Sequence, residues 1–421
     1  MATLLINGKK EKIPPFPHHK EYIYRCKKYF FARTLLDTLL LGRLIAIRET
    51  WRSIRHKAFI PRDLLLDPTS SCNLHCTGCW AADYETGSDI PLAKLDDIVN
   101  QAEALGIMDC IMSGGEPLLR KDDILWLCRN HRRTTFGAFT NGTLVDAAFA
   151  DEVAAVQNLN LFLSIEGWRE ETDFRRGAGT FDQVIAAMDL LRERGIAFAF
   201  SLCYHAKNYL TIASDEFLDF LREKGCWFGW LFQYVPVGSG ADLSLVCSPQ
   251  QREYVMARID AYSKKHQMVL IDFWNNGHLS FGCCAAGSGY VHINAKGDVE
   301  PCAFCHYADA NIYTDSLADA LRSPFFKKFR RSQPFSANPL SGCPLVSHPD
   351  KLADIVRESG AHSTHLNHQE PVEELASKTR LAAADWQLTA ERLYAGFKPA
   401  KKRNFRIMLW YLRFKKRQID R

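Results

Sequence analysis

No stretch of this 421-residue chain is apolar for long enough to span a membrane. The nearest approach, "FFARTLLDTLLLGRLIAI", is broken by Arg33, Asp37 and Arg43, short of the roughly 18 continuous apolar residues a span needs. The opening "MATLLINGKKEKIPPFPHHK" has no apolar core of a secretory signal, so a cytoplasmic protein is expected. Solenoid repeats and low-complexity tracts are also absent, which leaves ordinary globular packing. Excess charge is confined to one segment. Residues 401–421 hold nine Lys or Arg against one Asp, so the net +5 of the chain leaves everything before them about three negative. A basic tail on a slightly acidic body excludes a broad nucleic-acid-binding surface, and no nucleic acid partner is expected.

Cysteine, in contrast, is plentiful, with 14 residues placed unevenly. In a reducing compartment, clustered thiols favour metal or redox roles over disulfides. Cys26, Cys110, Cys128, Cys203, Cys226 and Cys247 are scattered and read as small buried apolar residues. The others fall in two groups. "SSCNLHCTGCW" packs Cys72, Cys76 and Cys79 into eight residues, and a second group holds Cys283, Cys284, Cys302, Cys305 and Cys343.

From Pro61 the chain becomes regular. Six short apolar runs, "DLLLDP", "MDCIMS", "FGAFT", "LNLFLSIEG", "AFAFSLCYH" and "WFGWLFQYVP", alternate with amphipathic helical segments. Repeated βαβ units of this kind predict an α/β fold with a parallel sheet. Six units fit an open, partial (β/α)6 barrel, whose functional residues gather at the C-terminal strand ends. The first cysteine loop follows the first strand and sits at that address. Five segments are expected: a helical N-terminal extension over 1–60, the barrel over 61–236, a linking helix and strand over 237–281, a cysteine-rich domain over 282–347, and a helical C-terminal region over 348–421 ending in the basic tail. The spacing of His348, His362, His365 and His368 in the last region could suit a metal, but no metal site is expected there.

Three close thiolates can wrap a soft metal centre, and iron–sulfur clusters are commonly held in such loops. Structural zinc, with His75 as fourth ligand, is the alternative, as is unliganded thiol. "CNLHCTGC" after the first strand of a βα array resembles the signature of the radical SAM superfamily. The resemblance implies that Cys72, Cys76 and Cys79 ligate a [4Fe–4S] cluster whose fourth iron takes S-adenosylmethionine. That would explain three cysteines rather than four. One departure is visible: Gly78 stands where the family often has an aromatic residue, and Trp80 follows the third cysteine.

Further motifs follow in order. "SGGEP" resembles the family's GGEP motif, which implies that Gly114, Gly115 and Glu116 lie at the amino group of S-adenosylmethionine. "TNGT" spans Thr140–Thr143. "LSIEGWREETDFRRG" resembles "S-x-D-G…H-D-x-x-R-G", which implies cofactor contacts for Ser164, Glu166 and Arg176, with Glu166 in place of the usual Asp and Thr172 in place of His. Ser201, Gln233 and Tyr234 are expected to face the same cavity.

Cys284-x12-Gly297-x4-Cys302, followed by Cys343, resembles the opening of a SPASM/Twitch extension. It implies one auxiliary [4Fe–4S] cluster drawn from Cys284, Cys302, Cys305 and Cys343, with Cys283 as a competitor; zinc on the same thiols is the alternative. Lys296-Gly297 should form its hairpin turn. By family implication the enzyme cleaves S-adenosylmethionine to a 5′-deoxyadenosyl radical that abstracts hydrogen from a substrate C–H bond. The expected substrate is a peptide, with a lipid or isoprenoid as the alternative and a non-catalytic iron–sulfur or zinc protein as a remote one. A flavodoxin or ferredoxin would supply electrons. The amphipathic basic tail "FRIMLWYLRFKKR" could touch an anionic membrane peripherally or pack on the barrel.

Overall fold

A computed structural model describes residues 3–6, 9–12, 47–82, 87–238, 240–280, 282–365 and 368–419. Strands β1 (Thr3–Ile6) and β2 (Lys9–Lys12) pair antiparallel, a departure from the helical reading of residues 1–60. Much of the helix expected from Glu21 lies outside the described residues; its end, α1 (47–56), is helical.

The six apolar runs form six parallel strands in sequential order: β3 (Asp63–Leu66), β4 (Asp109–Met112), β5 (Thr135–Thr140), β6 (Leu159–Ser164), β7 (Phe198–Tyr204) and β8 (Phe228–Gln233). Every position of the central β6 is buried, as expected where helices cover one face and barrel side chains the other. The crossovers are α2 (Leu92–Leu105), α3 (Lys121–Asn130), α4 (Ala147–Val156), α5 (Arg169–Arg176), α6 (Thr180–Glu193) and α7 (Asp215–Lys224). Local chemistry sets their ends. Asp146 and Ser214 accept from Phe149 N and Phe217 N to start α4 and α7. Gly225, at φ 108°, closes α7 in a left-handed cap.

The sheet continues past the six. After α8 (Pro249–His266), β9 (Val269–Asp272) adds in parallel to β8, and β10 (Tyr290–Ile293) adds in parallel to β3. β11 (Val299–Glu300) returns antiparallel to β10, making nine strands. Segments read in sequence as a linker and as the start of a separate domain therefore extend the barrel sheet. An open barrel leaves backbone donors and acceptors bare on both edges, and these short strands satisfy them. The β10–β11 hairpin turns where expected: Gly297 sits at φ 85°, and Asn294 Oδ1 accepts from Lys296 N and Asp298 N.

The C-terminal region contains α9 (Pro324–Ser332), α10 (Pro349–Ser359), α11 (Val372–Ala395) and α12 (Pro399–Ile419). No helix among the described residues is long and apolar enough to cross a membrane. The four histidines of this region go to different partners: His348 bonds Ser341 O, His362 pairs with Ala308 through the backbone, His365 lies tilted against His306 with ring centres 4.4 Å apart, and His368 faces Glu374.

α12 packs on the body through Phe405, Leu409 and Leu412. It also buries Lys415, 4 % exposed, with its ammonium 4.7 Å from the centre of the Phe59 ring. Burial lowers the Lys415 pKa to about 8, only partly opposed by Glu49, and the nearby Arg52, Arg62 and Arg330 lower it further. A depressed cation pKa means that the unfolded chain holds more protons between about pH 8 and the ordinary lysine value near ~10.4, so this group penalises the fold at pH 7 and stops doing so above that window. Lys415→Met is expected to raise the thermal midpoint at pH 7 by ~2 °C, with the gain shrinking to nothing near pH ~10.4 in a scanning-calorimetry series. An unchanged or lower midpoint at pH 7 would refute this account.

Candidate active site

β3 runs into Asp67, Thr69 and Ser70, all buried, and then into the first cysteine loop. Cys79 N donates to Cys76 O (3.2 Å), and Leu74 N approaches Cys72 Sγ at 3.5 Å. A helix and a turn after neighbouring strands hold the loop from two sides. Thr77 N donates to Arg175 O (2.8 Å), while Asn73 bonds Thr143 Oγ1 and Asn141 Nδ2 of the "TNGT" turn, each at 2.8 Å. Gly78 adopts φ 64°, and a Cβ there would lie 2.5 Å from the Tyr234 ring. Tyr234, from the end of β8, thus fills the space beside the residue at which the motif departs from its usual aromatic.

The glycines of "SGGEP" are required by contact with this loop. A Cβ on Gly115 would stand 2.0 Å from Ser71 O, and one on Gly114, at φ 95°, 2.6 Å from Thr69 O. Gly115 N and Glu116 N donate to Thr69 O and Ser71 O, closing the approach. The Glu116 carboxylate accepts from Leu118 N (2.9 Å), Thr140 Oγ1 (2.7 Å) and Asn141 N (2.8 Å). Burial raises its pKa against the pull of these three donors. They occupy three of the roughly four lone-pair positions of a carboxylate, leaving room for one more donor.

Beyond β6, Ser164 Oγ pairs with Ser201 Oγ at 3.2 Å. Glu166, fully buried, is bound mainly by the protein itself. Its Oε1 takes Arg175 Nη1 (2.7 Å), Arg176 Nε (2.9 Å) and Arg176 Nη2 (2.6 Å), and its Oε2 takes Cys203 N (2.8 Å). Burial alone would raise the Glu166 pKa, but the two guanidiniums and the amide outweigh it and hold it below the usual carboxylate range. The resemblance implied a cofactor contact for each of Glu166 and Arg176; the structure pairs them with each other. Arg176 Nη1 still reaches to 4.0 Å from Cys76 Sγ. Thr172 receives Glu166 N and bonds Gly167 O, tying off this turn.

In the second group, Cys302 and Cys305 face each other across a bridge that brackets Phe304, whose N approaches Cys302 Sγ at 3.4 Å. Cys284 packs against Gly289 and accepts Tyr290 N through its carbonyl. Cys283, Cys284, Cys302 and Cys343 are half-buried and Cys305 is buried. Burial pushes all five thiols up, Cys302 to about 12, and charge effects among them show that they occupy one neighbourhood. Trp80, next to Cys79, packs on Phe304 with ring centres 5.9 Å apart, so the two cysteine groups share a wall.

Neither group fits a single ion. No three His, Cys, Asp or Glu side chains among the described residues converge as one metal ion requires. Structural zinc demands four donors within about 2.3 Å of one centre. An iron–sulfur cluster spreads its thiolates over several irons and does not demand that convergence, so the thiol-only donor sets fit it better.

Among the scattered cysteines, Cys110, Cys128, Cys226 and Cys247 are buried as expected, while Cys203 is half-buried and gives its amide to Glu166; Cys26 lies outside the described residues. Sequence reasoning missed Arg175 and Asp67. Adjacency to Arg176 was the only available signal for the first, and Asp67 could have been noticed as an acid directly at a strand end.

Comparison with known proteins agrees with this geometry. Residues 66–221 match the family model of the radical SAM superfamily, and residues 283–344 match the SPASM iron–sulfur cluster-binding domain. The AdoMet-dependent heme synthase of Methanosarcina barkeri is 25 % identical over 285 residues, 60 % of this chain and 79 % of the relative. The mycofactocin maturase MftC of Mycobacterium ulcerans is 25 % identical over 317 residues, 71 % of this chain and 84 % of the relative. Streptococcus suis SuiB, solved with S-adenosylmethionine, shares the fold at a TM-score of 0.59 and 19 % identity, covering 77 % of this chain and 83 % of its own. The chain belongs to the radical SAM superfamily, as an enzyme that uses a [4Fe–4S] cluster and S-adenosylmethionine and carries a SPASM iron–sulfur domain after its barrel.

Proposed function

We propose that this enzyme modifies a peptide at an unactivated C–H bond. In this reading Cys72, Cys76 and Cys79 hold the catalytic cluster, and Cys284, Cys302, Cys305 and Cys343 hold a single auxiliary one. Gly114, Gly115, Glu116, Ser164, Glu166 and Arg176 surround the S-adenosylmethionine position. When bound, cluster and cofactor supply the electron and the carbon radical that abstracts hydrogen. The chain's own residues position them. Backbone contact with Gly114 and Gly115 sets the cysteine loop, the remaining lone pair of Glu116 suits an ammonium, and Glu166 aims the Arg176 guanidinium toward Cys76. The observation that carries the reading is the interlock of the glycine turn with the cysteine loop, since a Cβ at Gly115 cannot coexist with Ser71 O at 2.0 Å. The peptide as substrate rests on the maturase likeness over most of both chains.

A second reading, action on a lipid at a membrane surface, draws on a specific feature. α12 exposes Ile407, Trp410 and Phe414 on a side that also carries Arg403, Arg406, Arg413 and Arg417. Bonded to it through Thr50 and Tyr411, α1 exposes Ile47, Trp51 and Ile54. Aromatic and basic residues on one helix surface suit an anionic interface. Flotation with phosphatidylglycerol-containing vesicles should carry the wild type upward and leave Trp410→Ser/Phe414→Ser behind; a wild type that stays at the bottom removes this reading.

The main proposal is tested on anaerobically reconstituted protein. About eight irons per chain are expected, falling to about four in Cys72→Ala/Cys76→Ala/Cys79→Ala, with 5′-deoxyadenosine formed from S-adenosylmethionine and dithionite only by the wild type. Zinc in place of iron, or full iron without 5′-deoxyadenosine, would overturn it. Gly115→Ala should lose most of the first cluster's iron and at least ~100-fold of the cleavage rate while keeping the auxiliary cluster's absorbance. Wild-type iron and rate in that variant would remove the interlock from the argument.

A further inference from the structure

At the C-terminal end of β8, Gln233 and Tyr234 form one wall of a narrow cleft, open at its mouth, whose inner end has room for about one or two water-sized groups, enough for a carboxylate whose arm leads out through the mouth. Arg252 of α8, Val346, and Ala382 with Trp386 of α11 are among the other residues that line it. Arg252 is the one charged residue in the lining and is only 3 % exposed. Its guanidinium is held rigidly: Nε donates to Asn275 Oδ1 at 2.7 Å, and its carbon lies 3.7 Å from the centre of the Trp386 ring. Its Nη1 and Nη2 meet no acceptor among the described residues. The nearest compensating charge, Asp272, is itself bonded by Asn275 Nδ2 (2.6 Å) and Tyr204 (3.2 Å). On the facing wall the Gln233 amide is also unsatisfied, with a buried Oε1 that has no donor.

A guanidinium this deeply set, whose unused end is reached only from the cleft, is costly unless something anionic meets it. With Nε already engaged, the free end is the Nη1/Nη2 edge, two parallel N–H groups that match a planar carboxylate. The rest of the lining is largely apolar, so the carboxylate should sit on an apolar arm. The pocket also adjoins both cysteine groups. Tyr234 abuts Gly78 in the first loop, and Val346 lies three residues beyond Cys343.

We propose that this pocket anchors the substrate by a carboxylate on an apolar arm, held end-on by Arg252. That the occupant is the substrate rests on the function proposed above; that the pocket selects a carboxylate does not. Two sources share this chemistry, a peptide C-terminus and a fatty acyl chain.

Equilibrium dialysis of the reconstituted holoenzyme should use two matched pairs, N-acetyl-leucyl-leucine against its amide and octanoate against octanamide. In at least one pair the acid should bind ten-fold or more tighter than the amide, and the pair that shows it identifies the source. Arg252→Gln should abolish the preference. Because that change also removes the stack on Trp386, Ala382→Leu provides a second route. It fills the pocket without touching Arg252 and should abolish acid binding with an unchanged thermal midpoint. Acids and amides binding alike to the wild type, or an acid preference that survives both variants, would overturn the proposal. A preserved acid preference in wild-type holoenzyme that makes no 5′-deoxyadenosine would leave the pocket standing and sink the functional reading instead.

Discussion

The arrangement of both cysteine groups depends on one buried charge. His292, on β10, lies with Nε2 2.9 Å from Asp67 and Nδ1 2.7 Å from Glu300, all three excluded from water. Burial alone would depress the imidazole, but the two carboxylates outweigh it and push its pKa up to about 10, while Glu300 falls to about 2. Two carboxylates around one imidazolium still leave negative charge in a dry place. Neutral donors spread it: Ser113 Oγ on Asp67 (2.7 Å), Asn294 Nδ2 on Glu300 (3.1 Å), and the Thr364 hydroxyl on Glu300. Removing any charged member would strand the others, which is why such a network fixes geometry more than it adds stability. Its members stand just before the parts that matter. Asp67 leads into the first cysteine loop, Ser113 into the glycine turn, and Glu300 into Cys302.

Steric contact completes what the charges begin. The glycine turn touches the loop backbone so closely that no side chain fits at Gly115, and the Tyr234 ring lies where a Cβ on Gly78 would point. Trp80 then stacks on His306 and packs on Phe304, joining the loop to the SPASM segment. The cysteines are therefore positioned from outside, by strand ends that are distant in sequence. This suits ligands that must stay in register while the chain between them has little regular structure of its own.

That division explains what could be read in advance. Each barrel strand is a short apolar run between turn residues, so β3 to β8 stand out one by one, and the cysteine spacing marks its loop without help from the fold. The Lys296-Gly297 turn is local and was equally legible. β9 and β10 were different: four-residue strands reveal that they are strands but not which sheet edge they join, because partner choice is settled by the bare edges of β3 and β8. Glu166 illustrates the same limit inside a motif. Its position in "SIEG" suggests an acid facing the cofactor, yet its partners Arg175 and Arg176 reach it only because a helix turns them back over the strand end. The departure at Gly78 could not be interpreted until Tyr234, 156 residues later, was seen against it.

Radical generation and substrate choice draw on different parts of this chain. The groups around the cysteine loop come from the ends of the barrel strands, the portion shared with enzymes of quite different products. The Arg252 pocket borrows only Gln233, Tyr234 and Pro236 from the barrel and takes its cation and its other walls from the segment just before α8, α8 itself, the segment after Cys343, and α11. A fold that hosts many reactions varies in the parts grafted onto it rather than in the common machinery. Arg252 has the marks of such a graft. The Asn275–Asp272–Tyr204 group behind it satisfies one edge of the guanidinium and supplies countercharge, yet leaves the Nη edge turned away from that support. If Arg252 only tied α8 to β9, an edge-on pair with Asp272 would serve better and leave fewer donors without a partner. The observed geometry instead spends the backing residues on orientation, so that the free edge meets whatever enters between the two cysteine groups.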